Sequence, residues 1–129
     1  MTTMTDAATR VRFIEPLPGF DGEDYTFDPI DERGLLWSLR SVEQPEVRFV
    51  LAAAAAFYPD YRPEISDSLA GPLGADEIDL LLVLTIGTGL SDATANLRAP
   101  IALARQTGRA VQVIIDDDVF SMREPLVST

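Results

Sequence analysis

Ile78-Asp79-Leu80-Leu81-Leu82-Val83-Leu84-Thr85-Ile86 is the stretch on which the fold turns. In an extended backbone Ile78, Leu80, Leu82, Leu84 and Ile86 share one face, while Leu81 and Val83 share the other. A strand apolar on both faces is buried on both sides, so this one belongs at the centre of a sheet. Downstream, Leu97 to Ala104 and Arg109 to Ile115 read as two more strands, joined by Gln106-Thr107-Gly108, a length and composition suited to a hairpin. The second of them sets Val111, Val113 and Ile115 on one face and Gln112 and Ile114 on the other.

Working upstream, Leu35, Trp37 and Leu39 alternate with Leu36, Ser38 and Arg40, and Val47, Phe49 and Leu51 repeat the pattern after the turn at Gln44-Pro45-Glu46. Nearer the start, Val11 and Phe13 alternate with Arg10 and Arg12 until Glu15-Pro16-Leu17-Pro18-Gly19 breaks the strand. The segment Asp21 to Arg33 places Asp21, Glu23, Asp24, Asp28, Asp31 and Glu32 around Tyr25 and Phe27. Pro29 argues against a regular central strand there, so a short edge strand and an exposed loop are expected. The alanines from Ala52 to Ala56 favour helix, but the run is too short to nucleate alone and Tyr58-Pro59-Asp60 closes it. It reads as a strand end passing into a packed turn. Ser66-Asp67 could cap one helical turn through Leu69, which Gly71-Pro72 would stop.

About seven or eight short strands and at most one or two brief helices are the signature of a barrel or sandwich. A βαβ chain needs helical patterns of about ten residues or more between its strands, and none is present. The expectation is a mainly β chain: a single small antiparallel β-barrel-like domain over residues 10–126, after a disordered tail over residues 1–9. That tail has no apolar stretch of the kind a secretory signal carries. The longest apolar runs, Phe49 to Tyr58 and Leu80 to Leu84, fall short of the roughly 20 residues that span a bilayer. A soluble, cytoplasmic protein is expected.

Composition narrows the chemistry. The chain has no histidine and no cysteine, which excludes a Ser-His-Asp triad, a thiol nucleophile, a disulfide framework and the usual zinc sites. Its 21 acids outnumber 10 basic residues, all arginine, for a net charge of −11. Such a surface repels nucleic-acid phosphates and anionic lipid and draws in a basic partner. No cofactor or metal is implied. Gly87-Thr88-Gly89 after the best strand has the opening of a dinucleotide turn, but position 92 is Asp92 and Ala93 to Pro100 lacks a helical pattern, so it reads as a loop. Asp116-Asp117-Asp118, with Asp60 or Asp79, could hold a hard cation, which leaves a small carboxylate-based, cation-dependent hydrolase as the alternative to a binding protein. Phe57-Tyr58-Pro59-Asp60-Tyr61 has the composition of either an interface patch or a packed barrel end. Arg98, within Asn96-Leu97-Arg98-Ala99-Pro100, could anchor a carboxylate or pair within the fold.

One family unites these pieces. Thr94-Ala95-Asn96-Leu97-Arg98-Ala99-Pro100-Ile101 resembles the most characteristic motif of the flagellar assembly factor FliW family. Leu17-Pro18-Gly19-Phe20 resembles its early turn, Phe57-Tyr58-Pro59-Asp60-Tyr61 its aromatic turn, and Gly108 with Val111 to Ile115 its last hairpin, all in the family's order. The chain departs from the family where alanines precede the aromatic turn and where Ala104 replaces an asparagine. The resemblance implies a β-barrel-like fold without enzymatic activity. It also implies two protein partners: the RNA-binding repressor CsrA, kept off flagellin mRNA, and flagellin, which competes for the factor. For such partners the candidate contacts are Asp28, Asp60, Asp116 and Asp117 as a charged rim, Tyr58 and Tyr61 as anchors, and Asn96 and Arg98 from the characteristic motif.

Overall fold

The computed structural model describes residues 9–15, 17, 22–32, 35–61, 63, 71–74, 78–86, 92–104, 106–115 and 120–125. Among these the strands are β1 (Thr9–Phe13), β2 (Asp24–Pro29), β3 (Leu36–Ser41), β4 (Arg48–Ala53), β5 (Asp79–Thr85), β6 (Thr94–Ala95), β7 (Ile101–Ala104), β8 (Arg109–Gln112) and β9 (Glu124–Pro125). A single helical turn, α1 (Ala54–Phe57), follows β4, and a 3-10 turn spans Gly71–Leu73.

Seven strands close into a barrel in the order β1, β2, β3, β4, β5, β7, β8 and back to β1. The mainly β, barrel-like architecture expected from the sequence is what forms. Its seams are antiparallel except one, since β1 and β8 run parallel. There Arg12 N–H donates to the Gly108 carbonyl at 2.8 Å and Ile14 N–H to the Ala110 carbonyl at 2.9 Å. Gly108 closes the β7–β8 hairpin at φ 74°. A Cβ at Gly108 would stand 3.1 Å from the Arg10 carbonyl oxygen, so one glycine both turns the hairpin and allows the seam to close.

The interior is filled by alternate residues of each strand, among them Val11, Phe13, Tyr25, Phe27, Leu39, Leu51, Leu81, Ile101 and Ala110. Phe13 and Tyr25 meet edge to face at 5.1 Å, and Phe27 stacks on Trp37 at 4.3 Å. A second apolar layer covers part of the barrel from outside. Leu82 and Leu84 of β5 pack there with Leu36, Ala52, Ala54, Ala93 and Ala95, and Val111 and Val113 with Leu73, Ala102 and Ala104. The central strand is therefore buried on both sides, as its sequence predicts, but the more apolar of its two faces looks away from the barrel interior.

Several local expectations are corrected. The acidic segment forms no edge strand: β2 is paired with β1 on one side and β3 on the other. The bonds Val42 N–H to Asp24 O and Ile30 N–H to Leu36 O assign the even-numbered positions to β3 and the odd ones to β1. Pro29 is odd and lies past Phe27, the partner of Thr9, so its missing N–H falls beyond the described end of β1. The expected strand Leu97 to Ala104 is shorter, because Asn96 Oδ1 accepts from Arg98 N–H at 2.9 Å and bends the chain into a turn before β7. Pairing of β8 stops at Gln112, although Val113 and Ile115 still donate to the Pro100 and Arg98 carbonyls. The alanine run divides between β4 and α1. The expected cap at Ser66-Asp67, the Gly87-Thr88-Gly89 loop and most of the Leu17-Pro18-Gly19-Phe20 motif lie outside the described residues.

Candidate functional site

Four of the candidate residues are gathered on one flank of the barrel, where the turn after β6 meets the last described segment. Tyr58, following α1, donates its hydroxyl to the Pro125 carbonyl at 2.8 Å. Tyr61 donates to the Leu97 carbonyl at 2.6 Å, and its ring meets Phe120 edge to face at 5.3 Å. Arg98 Nε donates to the Phe120 carbonyl at 2.8 Å. Leu97 N–H donates to Ser121 O at 2.9 Å, and β9 pairs with β6 over two residues. The motif Asn96 to Pro100 is thus the anchor to which the segment Phe120 to Pro125 is strapped. Asn96 serves by bending the turn, and its own N–H donates to Val83 O.

The electrostatics follow from this packing. Burial pushes the Tyr61 phenol up to about 12 from an ordinary 10.0, because a phenolate between Phe120 and the outer layer would lose its hydration. The Tyr58 phenol is raised by burial first and by the Glu124 carboxylate second. Both tyrosines stay neutral donors at physiological pH. Their hydroxyls are engaged by backbone carbonyls, and both residues are half-buried.

The acids are distributed differently. Asp60 is exposed in the turn between the tyrosines. Asp28 lies half-buried on β2 opposite Ser38, two strands away from β4 and α1. Asp116 and Asp117 are outside the described residues. Within the acidic segment, Asp31 is an internal device: Oδ1 accepts from Leu35 and Leu36 N–H at 3.0 and 3.1 Å and shapes the β2–β3 turn. Glu23 pairs with Arg12 at 3.3 Å. Among the described residues no group of three acids is placed to hold a metal ion, and Asp60 and Asp79 are both exposed. A groove of about 330 Å³ beside α1 is lined by Ala53, Ala54, Ala55, Pro59, Tyr61 and Leu80, among others. Sequence reasoning overlooked Phe120, the ring and carbonyl that bring Tyr61 and Arg98 together; a lone aromatic near the chain end carries no pattern that would single it out.

A seven-stranded barrel with one parallel seam, an outer apolar layer and a strapped C-terminal segment places the chain among small closed β-barrel domains. No helix among the described residues is long and apolar enough to cross a membrane. A family model described as FliW protein matches residues 2–126, and the chain belongs to that family. It is 35% identical over 114 residues to a flagellar assembly factor FliW of Shouchella clausii, covering 85% of this chain and 78% of the relative. A second FliW, from Caldanaerobacter subterraneus, is 32% identical over 124 residues, covering 91% and 81%. A solved crystal structure of the flagellar assembly factor FliW superposes with a TM-score of 0.82 at 25% identity, covering 100% of this chain and 92% of that one.

Proposed function

We propose that the chain is a flagellar assembly factor working as a partner switch: it binds CsrA, which releases flagellin mRNA for translation, and it binds flagellin, which competes for it. The observation that carries this reading is the family match across residues 2–126, almost the whole chain. Physical chemistry supports it. A net charge of −11 accelerates encounter with the basic surface that an RNA-binding dimer must carry. The switch operates in the cytoplasm, where mRNA and unassembled flagellin coexist, and its hold on flagellin is chaperone-like. The contact is assigned to the strapped flank: Tyr58 and Tyr61 offer ring surface, Asn96 and Arg98 hold the turn, and Asp60 supplies charge, with Asp28, Asp116 and Asp117 as further acidic contacts.

Titrating the purified chain into a complex of CsrA with flagellin leader RNA tests the reading. Release of labelled RNA is expected, with slower association once Asp28, Asp60, Asp116 and Asp117 are reversed to lysine. RNA that stays bound at saturating factor contradicts it.

A further inference from the structure

The outer surface of β8, β1, β2, β3 and β4 carries a second charged feature, of the opposite sign to the chain as a whole. Val11, Phe13, Tyr25, Phe27 and Leu39 point into the barrel, so their neighbours Arg10, Arg12, Thr26 and Arg40 point out. Register then sets Arg10 opposite Thr26, Thr26 opposite Arg40, and Arg40 opposite Arg48. Across the parallel seam Arg12 stands beside Arg109. Five of the 10 basic residues thus share one face, all exposed, in a chain with 21 acids to place.

This arrangement is costly in isolation. Ser41 N–H donates to Val47 O, which makes Arg40 and Arg48 a non-hydrogen-bonded pair, the geometry in which opposed side chains come closest. Like charges so placed destabilise a sheet. Among the described residues Arg10, Arg40 and Arg48 form no ion pair with an acid, and the row is interrupted by Thr26 rather than by a carboxylate. Where Arg12 and Arg109 border a recess of about 400 Å³ with Phe13 and Ile14, Glu23 already bonds Arg12 at 3.3 Å, so the face has a working example of carboxylate capture.

We propose that this face docks an extended, acidic protein segment laid across the strands. Arginine forks suit carboxylates. The row from Arg48 to Arg10 spans three strand spacings, roughly 14 Å, close to the reach from i to i+4 of an extended chain whose alternate side chains face the sheet. Asp24 and Asp28 flank the row on β2 and confine the partner to that narrow line. Single-stranded RNA would also offer anions, but its binders add exposed aromatic platforms. Here Phe13, Tyr25, Phe27, Trp37 and Phe49 all pack on the inner cluster, and −11 opposes a long polyanion. The inference does not depend on the CsrA reading.

Fluorescence anisotropy with three labelled probes tests it: a peptide of alternating Glu and Thr, the same residues in two blocks, and a U-rich single-stranded RNA. The alternating peptide is expected to bind best, in a salt-sensitive way, and Arg40→Gln with Arg48→Gln to weaken it at least roughly tenfold. The same double variant should keep or raise Tm, since a repulsion is removed. No binding by the alternating peptide, equal binding by the variant, or tighter binding of the RNA overturns the proposal. A fall in Tm with the loss of binding also overturns it, by making the two arginines part of the fold.

Discussion

The flank of the barrel built on β1, β2 and β3 and the flank built on β5, β7 and β8 are lined alike within and differ without. On the first, inward Val11, Phe13, Tyr25 and Phe27 alternate with outward Arg10, Arg12 and Thr26, and the outer face of β1 and β2 meets water, while Leu36 at the start of β3 joins the outer layer. On the second, Leu81, Ile101 and Ala110 point in while Leu82, Ala102 and Val111 are equally buried outside, beneath α1, the Gly71–Leu73 turn and the turn after β6. A strand reads as alternating where one face is wet and as continuously apolar where both are covered. The covered flank is where the chain's characteristic motif and its strap lie, and the bare flank is where the arginine row stands. The packed outer layer therefore lies on one side of the barrel and the exposed arginine row on the other.

The sharpest way to break that comparison is to treat the outer layer as a true core. Leu82 is 0% exposed and Leu81 1%. Leu82→Ala is expected to cost about 2–5 kcal/mol, as much as Leu81→Ala, measured by chemical denaturation. A cost for Leu82→Ala near that of a surface substitution would remove the second layer from the account. A smaller loss, about 1–3 kcal/mol, is expected for Gly108→Ala, because it combines a positive φ with a close approach to the Arg10 carbonyl. The smallest effect sharpens the strap. Tyr61→Phe leaves the Leu97 carbonyl without its donor, for about 1 kcal/mol. The Tyr61 phenol also binds its proton more tightly in the folded chain, with a pKa of about 12 against 10.0. Its contribution is complete below pH 10 and is lost as pH rises from about 10 to about 12, a slope that Tyr61→Phe should abolish.

The strands were legible wherever side chains alternate in chemistry. Ile78 to Ile86 announced a doubly buried strand, yet alternation alone does not say which face looks inward, and the five-residue face proved to be the outer one. Pro29 marks no edge, because the direction of its missing donor depends on strand parity, which only the paired sheet reveals. The parallel seam between β1 and β8 left no trace, since partner direction is not written in either strand. Of the site, the tyrosines of the aromatic turn and Arg98 stood out by type, but their acceptors are backbone carbonyls of Pro125, Leu97 and Phe120, groups that every residue has. Strand β9, with two residues, is too short for any periodic signal.

Competition at equilibrium tests the partner switch most directly. With the chain saturated by labelled CsrA, added flagellin is expected to displace the label until one partner has replaced the other, with the bound fraction falling as flagellin rises. A ternary complex that retains CsrA at saturating flagellin, or CsrA that does not bind the chain at all, would contradict the account.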